Sequence, residues 1–405
     1  MLALTLQNRF QSLSALSGRS FAVQMPDGRV LSVGAGEPAF TVVFHSDSAL
    51  LGTAARGHMG LLEAYFDQQV DVLGDFGAAM ATGMESGFDS QYGAVNGIEN
   101  RLHELRFSNR GRDRARANAR AHYGLGTPFY RLWLDDPLMM YTCAYWNEDT
   151  KTIEDAQRNK IDHVCRKIRL SPGERYVDIG CGFGGFMFRA YETCKALGTG
   201  INNTNEQIDW LRGEIERKGL SAELKVVDAD FRDVEGQYDK VVSIGVLEHA
   251  GRDQLAEVIA AHAACLKPGG LGMLHFIGHV GQFETELFIR KHVFPGGWIP
   301  SLAEVIVEME RCGLEVVDIE NLRRHYALTL DAWSERFETR WDAIQAIDPE
   351  RFNERFRRIW RTYLVGCAEM FRSPKGYTHL FQIVFSKGNI TRRTYPMTRY
   401  QMYGS

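Results

Sequence analysis

The sequence predicts an α/β fold, a parallel sheet covered by helices on both faces, preceded by a small α+β domain. Three observations carry this. Between about residue 160 and residue 278, short apolar runs alternate with helix-length amphipathic segments, the pattern of parallel strands joined by crossover helices. Gly180, Gly182, Gly184 and Gly185 form a tight turn between the first of those strands (176–179) and the helix that follows (187–197). Residues 1–90 instead carry hairpin signals and short elements of both kinds.

Composition sets the outer bounds. The 405 residues are 44% hydrophobic and 24% charged with a net charge of −4, as in soluble globular proteins, and suffice for two domains. No apolar run approaches the ~20 residues that span a bilayer. The start, Met1 to Arg9, lacks the basic head and apolar core of a signal peptide. The 7 cysteines are scattered without a CxxC pair, so neither a disulfide framework nor a structural metal site is expected. A cytoplasmic location is expected.

Taken in order, residues 20–24 and 29–33 flank the turn Pro26-Asp27-Gly28 as a hairpin, 40–44 is a third strand, 49–55 and 58–66 are helical, and 70–74 returns as a strand. Nothing in this domain clusters for catalysis. It serves stability or homodimer assembly, or it contacts lipid. Residues 91–120 are a basic helical linker, with Arg101, Arg106, Arg110, Arg112, Arg114, Arg116 and Arg120 against only Glu104 and Asp113. Such a run is either a solvated helix face or a contact for anionic phosphates; no nucleic-acid motif accompanies it. The aromatic stretch 128–146 is either a packed helical lid or a pocket lining. The core from 121 to 390 then supplies strands at 198–202, 223–227, 239–245, 270–277, 313–318 and 380–386. Helices are expected at 205–218, with Thr204 as its cap, and at 254–266, with a largely helical stretch over 329–371. Residues 391–405 form a polar, aromatic tail.

The glycine turn matches a dinucleotide fingerprint, Gly180-x-Gly182-x-x-Gly185, which by itself is weak. Asp178 changes the reading. A carboxylate two residues before the first glycine can orient the loop and face an amino-acid ammonium, as an S-adenosylmethionine site requires. A nicotinamide site calls for an acid after the next strand, and this chain has Asn202 and Asn203 there. Unusual residues also follow the later strands: Asp230 and Phe231, then Glu248 and His249, then His275 to His279. Glu248 and His249 read either as a site or as a capping pair for the next helix.

In these segments the chain resembles the cyclopropane-fatty-acyl-phospholipid synthases and their mycolic-acid-modifying relatives. The resemblance covers most of the chain, most firmly 121–388. It rests on His122 and Tyr123, Tyr-Thr-Cys-Ala-Tyr-Trp at 141–146, Val-Asp-Ile-Gly-Cys-Gly at 177–182, and Ser-Ile-Gly-Val-Leu-Glu-His at 243–249. Further on it rests on Leu-His-Phe-Ile-Gly at 274–278, Phe-Pro-Gly-Gly-Trp-Ile-Pro-Ser at 294–301, Tyr326 with 329–333, Cys-Ala-Glu-Met-Phe at 367–371, and Gln-Ile-Val-Phe-Ser at 382–386.

The resemblance implies a class I methyltransferase, a Rossmann-like mixed seven-stranded sheet with helical cover. It places S-adenosylmethionine at Tyr141, Thr142, Gly180, Gly182, Asn202, Asn203, Thr204, Gln207, Phe231, Arg232 and Ile244, to which the residue reading adds Asp178 and Asp230. It places a bicarbonate ion at Cys143, Glu248, His275, Ile277 (through its backbone) and Tyr326. Cys367 matches a cysteine sometimes named catalytic, while a buried helical cysteine is its plainer role. The implied substrate is an unsaturated phospholipid in an anionic bilayer, met by peripheral contact at the inner face of the membrane. Two segments depart from the family pattern: Gly124 replaces an aspartate after His122-Tyr123, and Asn202-Asn203-Thr204-Asn205-Glu206-Gln207 replaces Thr-x-Ser-x-x-Gln. Three readings stay open: a cyclopropane product, a methyl-branched or methylated unsaturated product, and an inactive lipid-binding protein.

Overall fold

The computed structural model describes residues 2–88, 94–109 and 111–403. Arg110 of the basic run and the last two residues of the tail lie outside the described residues, as do the side chains of Arg120, His122 and Tyr123. The chain forms two compact units, each assembled from three segments.

The first unit holds residues 1–106, 286–293 and 333–376. Its four-stranded sheet has the order β2-β1-β3-β4, with β1 at Phe21–Gln24, β2 at Val30–Val33, β3 at Phe40–Phe44 and β4 at Val70–Gly74. β1 and β2 form the expected antiparallel hairpin, and the parallel β1–β3 pair is spaced by it. Helices Leu2–Ser17, Phe76–Glu85 and Ala94–Arg106 belong to this unit, and the first two were not legible as helices in the sequence. Sequence order assigns 333–376 to the core that follows; its contacts lie here instead. Helix Glu354–Arg372 buries Trp360, Tyr363, Leu364 and Phe371, and Arg358 donates to the carbonyls of Tyr65 (2.9 Å) and Val70 (3.0 Å) and to Asp71 (2.7 Å). A long amphipathic helix carries its apolar stripe to whichever surface is complementary, whatever the chain distance.

The second unit holds residues 107–285, 294–332 and 377–405. Its seven strands are β5 (Arg175–Ile179), β6 (Leu197–Asn202), β7 (Leu224–Asp228), β8 (Tyr238–Ile244), β9 (Leu266–His279), β10 (Leu314–Asn321) and β11 (Thr378–Lys387). They lie in the order β10-β11-β9-β8-β5-β6-β7. β5 to β9 pair in parallel, and β11 runs antiparallel to both neighbours, so the sheet is mixed. Buried Val177, Ile179, Val241, Val242, Leu274 and Phe276 explain why these strands read as continuous apolar runs. The chain leaves β5 toward β6 on one side and later returns to β8 on the other. This reversal opens a crevice at the carboxyl ends of the strands.

Helix Ile153–Lys167 covers one face and was not anticipated. It buries Gln157, Lys160, His163 and Lys167 among its apolar residues, so its inner face is partly polar. Among the described residues no helix is long and apolar enough to cross a membrane.

Candidate active site

The crevice contains a cavity of about 160 Å³. Its floor is the turn after β5. Gly180 (φ 80°) and Gly182 (φ 53°) both have left-handed backbones that favour glycine. A Cβ on Gly182 would meet no protein atom within 4 Å, so at that point the turn faces open cavity. Behind the turn the packing is close: a Cβ on Gly185 would lie 2.2 Å from the Leu138 carbonyl. The helix Gly185–Cys194 thereby begins tight against the strand while the turn stays open in front.

The cavity wall draws on several strand ends. Asp178, Asn202, Asn203, Thr204, Gln207, Asp230, Phe231, Ile244, Tyr141 and Thr142 all line it, with Gly180 and Gly182. Thr204 stands at the N-cap of helix Asn205–Arg217, yet its hydroxyl makes no capping bond. Asn202 organises the loop instead. Its Oδ1 accepts from the N–H of Asn203 (2.8 Å) and Thr204 (3.0 Å), and its Nδ2 donates to Gly182 O and Gln207 Oε1, each at 3.1 Å. A short amide thus performs the loop-closing task of a hydroxyl. Arg232 is the exception among the expected cofactor residues. It is not in the wall; it clamps Asp230 with bonds of 2.6 and 2.8 Å and lies over the Phe231 ring, which fixes both wall residues.

Asp178 is 2% exposed, and burial pushes its carboxyl up to about 7, with the charge of Lys160 working against that shift. Lys160 is itself fully buried and donates to Thr142 Oγ1 at 2.8 Å. Burial lowers its pKa, and the Asp135 carboxylate opposes the drop. Gln157, one turn earlier, donates to the carbonyls of Met140 (3.2 Å) and Thr142 (2.8 Å). The polar inner face of helix Ile153–Lys167 therefore holds the 140–142 strap against the cavity.

A second constellation adjoins this wall. β8 ends at Ile244, opposite His275 on β9. Beyond that point β9 has no strand on this side, and Glu248 Oε1 takes the free Ile277 N–H at 2.6 Å. Glu248 is thus not a cap for helix Leu255–Cys265, which starts after a separate turn at Arg252–Gln254. Its other oxygen, Oε2, is buried without a hydrogen-bond partner, and burial pushes the carboxyl up to about 7. His275 is 2% exposed, with Nε2 likewise buried and without a partner. Its pKa falls well below the usual histidine range through burial and the nearby charges of Lys160 and Lys167, so the ring is neutral. Cys143 is buried and its thiol pKa is raised by burial, which keeps it protonated. Cys143 Sγ and the Tyr326 N–H both point to the Leu322 carbonyl, at 4.0 and 3.1 Å. Tyr326 is 7% exposed, one helical turn into Arg323–Thr339.

Buried polar atoms left without partners are uncommon in folded proteins. The free Oε2 of Glu248 and Nε2 of His275 fit a small ion carrying both an O–H and a negative oxygen, if the ring proton is on Nε2. Cys367 belongs to the first unit, on helix Glu354–Arg372, where burial raises its thiol to about 12.

Residues 110–383 match the family described as mycolic acid cyclopropane synthetase. The chain belongs to the mycolic acid cyclopropane synthetase family. Among its relatives is a "probable fatty acid methyltransferase" of Pseudomonas putida, 35% identical over 389 residues, covering 93% of this chain and 94% of the relative. The cyclopropane-fatty-acyl-phospholipid synthase of Escherichia coli K12 is 32% identical over 340 residues, covering 82% and 84%. Mycolic acid cyclopropane synthase CmaA1, solved in complex with SAH and CTAB, superposes with a TM-score of 0.62 at 31% identity, over 67% of this chain and 98% of that one. As a member of this cyclopropane synthetase family, the chain is an S-adenosylmethionine-dependent methyltransferase with the class I fold.

Several site residues of this family member were missed in the sequence: Gln157, Lys160, Lys167, Glu320 and Gln382. One signal was present. Gln157, Lys160 and Lys167 fall at helical spacing on what proves to be the buried face of one helix, and polar side chains at core positions mark a held network. Phe276 lies on the opposite sheet face from His275. It packs against Phe381 in the core, because successive strand residues alternate in direction. Tyr145 stacks on His325, and Trp146 Nε1 donates to Thr329 Oγ1, so both aromatics hold the strap to helix Arg323–Thr339. The basic run is partly spent within the fold: Arg112 pairs with Asp233 (2.6 Å) and Arg116 with Asp228 (3.0 Å), and Ala115 and Asn118 of the same helix reach the cavity.

Proposed function

We propose that the protein transfers a methylene carbon to the double bond of an unsaturated fatty acyl chain of a membrane phospholipid, giving a cyclopropane fatty acid. The observation that carries this reading is the pair of buried atoms without partners, His275 Nε2 and Glu248 Oε2, beside the cofactor cavity. Ring closure needs a proton removed from the newly added methyl. S-adenosylmethionine, when bound, supplies the electrophilic methyl. The turn from Asp178 to Gly182 would receive its amino-acid end, and Asn202, Gln207 and Phe231 its nucleoside. Bicarbonate, when bound, supplies the base. His275 would donate to a negative oxygen, Glu248 Oε2 would accept the ion's O–H, and Cys143 and Tyr326 would complete the pocket. Cys143, His275, Tyr326 and the free oxygen of Glu248 are buried, which limits access of the water that would otherwise quench the positive charge left on the acyl chain.

A methylated, unsaturated or methyl-branched product is the second reading, favoured by the P. putida relative, whose similarity spans nearly the whole chain. The deciding experiment incubates the protein with labelled S-adenosylmethionine and anionic vesicles of mono- or diunsaturated phospholipid. The chains are then analysed by mass spectrometry. A gain of one CH₂ that survives mild hydrogenation as a ring supports cyclopropanation. A saturable methylated alkene supports the second reading, and no incorporation with cofactor bound would leave only a lipid-binding role. The same vesicles test peripheral contact with the inner, anionic face of the membrane. Co-sedimentation should weaken with salt, since surface attraction is screened beyond ~10 Å at 0.1 M.

Cofactor affinity should also follow the ionisation of Asp178. An ammonium partner requires the carboxylate, and in the cofactor-free protein that group titrates at about 7. Below that pH, binding must first expel a proton. Affinity is therefore expected to fall about tenfold from pH ~8 to pH ~6 by calorimetry, and Asp178→Asn should bind weakly with a flatter profile. His249, also in the wall, is held at about 4 by burial and stays neutral across this window. Equal wild-type affinity at both pH values would remove Asp178 from the ammonium site.

A further inference from the structure

We propose that Gln382 is a positioning residue for His275: with Lys167 it locks the imidazole in the tautomer that carries its proton on Nε2. The inference rests on the reading of His275 as donor to a bound anion and extends it one layer outward. A neutral imidazole has one donor and one acceptor nitrogen, and its surroundings decide which is which. For an anion pocket the choice is decisive, because the wrong tautomer would turn a lone pair toward a negative oxygen.

Three strands meet at one register, with Glu320 on β10 opposite Gln382 on β11, and Gln382 opposite His275 on β9. Gln382 Nε2 lies 3.0 Å from His275 Nδ1. An amide nitrogen can only donate, so Nδ1 accepts and the proton sits on Nε2, the atom left without a partner. Rotating the amide by half a turn would reverse the tautomer. Lys167 prevents that rotation. Its Nζ donates to Gln382 Oε1 at 2.8 Å, and a rotated amide would set donor against donor. Lys167 is held in turn by Glu320 Oε2 at 2.5 Å, and the same oxygen meets His163 Nε2 at 2.8 Å. Burial opposes charge on Glu320, yet the bonds from His163 and Lys167 hold its carboxyl down at about 2, so it remains an anion. Gln382 and Lys167 are 0% exposed, so no water replaces a lost bond. An unpaired buried donor then disfavours the wrong orientation by about 10- to 100-fold.

The test uses the full chain with ¹⁵N-labelled histidine, His275 being assigned by comparison with His275→Asn. The wild type should show one neutral tautomer protonated on Nε2. In Gln382→Glu one carboxylate oxygen can still hold Lys167, while the other can only accept, so His275 should reverse to Nδ1–H. The bicarbonate concentration for half-maximal turnover should then rise about 10- to 100-fold with cofactor affinity unchanged. Gln382→Met, which makes no bond to the ring, should give mixed tautomers and a smaller rise. A filler role for Gln382 predicts the reverse order, because only methionine leaves buried Lys167 short of a partner. An Nδ1–H wild type, or an unaltered tautomer in Gln382→Glu, overturns the proposal. If that variant does not fold, exclusive Nε2–H in Gln382→Met overturns it equally. A reversed tautomer with bicarbonate use untouched would uphold the lock, and the anion reading of His275 would be what fails.

Discussion

Glu248→Gln is expected to lower turnover about 10²–10⁴-fold, the range typical of a lost general-base function, while S-adenosylmethionine binds as before. The substitution nearly preserves shape. The amide oxygen can still accept the Ile277 N–H that Glu248 Oε1 now takes at 2.6 Å, so the free edge of β9 keeps its partner. What changes is the second position. Oε2, a buried acceptor without a partner, becomes an NH₂ that can only donate. With His275 Nε2–H already donating, a bound bicarbonate would find no acceptor for its own O–H. If only ion binding is weakened, added bicarbonate should restore part of the rate. Unfolding would not explain the loss. The Glu248 carboxyl is raised to about 7 from 4.5, so the folded protein holds that proton more tightly than the unfolded chain. Stability is therefore greatest below about pH 4.5 as far as this group is concerned, falls as pH rises through about 7, and levels off above that. Glutamine removes that penalty, so the variant should melt no lower than wild type near pH 8. Single-turnover transfer of labelled methyl, beside calorimetry of cofactor binding, measures both quantities. Wild-type turnover in the variant would remove Glu248 from the reaction.

Gly182→Val should weaken cofactor binding at least about 100-fold, equivalent to ~2.7 kcal/mol. Two effects add. Gly182 has φ 53°, where a β-branched residue is strained by about 1–3 kcal/mol. The new side chain would also project into the cavity, since no protein atom stands within 4 Å of its Cβ. Gly213→Ala is the control. It lies on helix Asn205–Arg217 with nothing within 4 Å, outside the cavity wall, and should leave affinity unchanged. Normal cofactor affinity in Gly182→Val would displace the cofactor from the glycine turn.

The local devices of this fold were legible because each depends on neighbours in the chain. The β5 strand and the glycine turn after it are a matter of apolar run, positive φ and missing Cβ, and the structure has them at 175–185. The cavity wall was legible for a related reason: in a parallel sheet the strand carboxyl ends converge, so Asp178, Asn202, Asp230 and Ile244 meet once the strands are recognised. Element ends shifted where pairing overrode propensity. β9 starts at Leu266, ahead of Gly269 and Gly270, because its ladder begins opposite Tyr238.

What the sequence by itself determined was the alternation that makes the sheet, the open turn that faces the cavity, and the residue types that adjoin it. Only the tertiary structure decided which unit holds 333–376, Cys367 included, and that the Ile277 N–H belongs to Glu248. It alone decided that Glu320, Gln382 and His275 share one register beneath Lys167. The physical reason is reach. Propensity and turn chemistry act over a few residues, whereas a buried donor takes whatever acceptor folding brings beside it, and Lys167 and Gln382 are 215 residues apart in the chain.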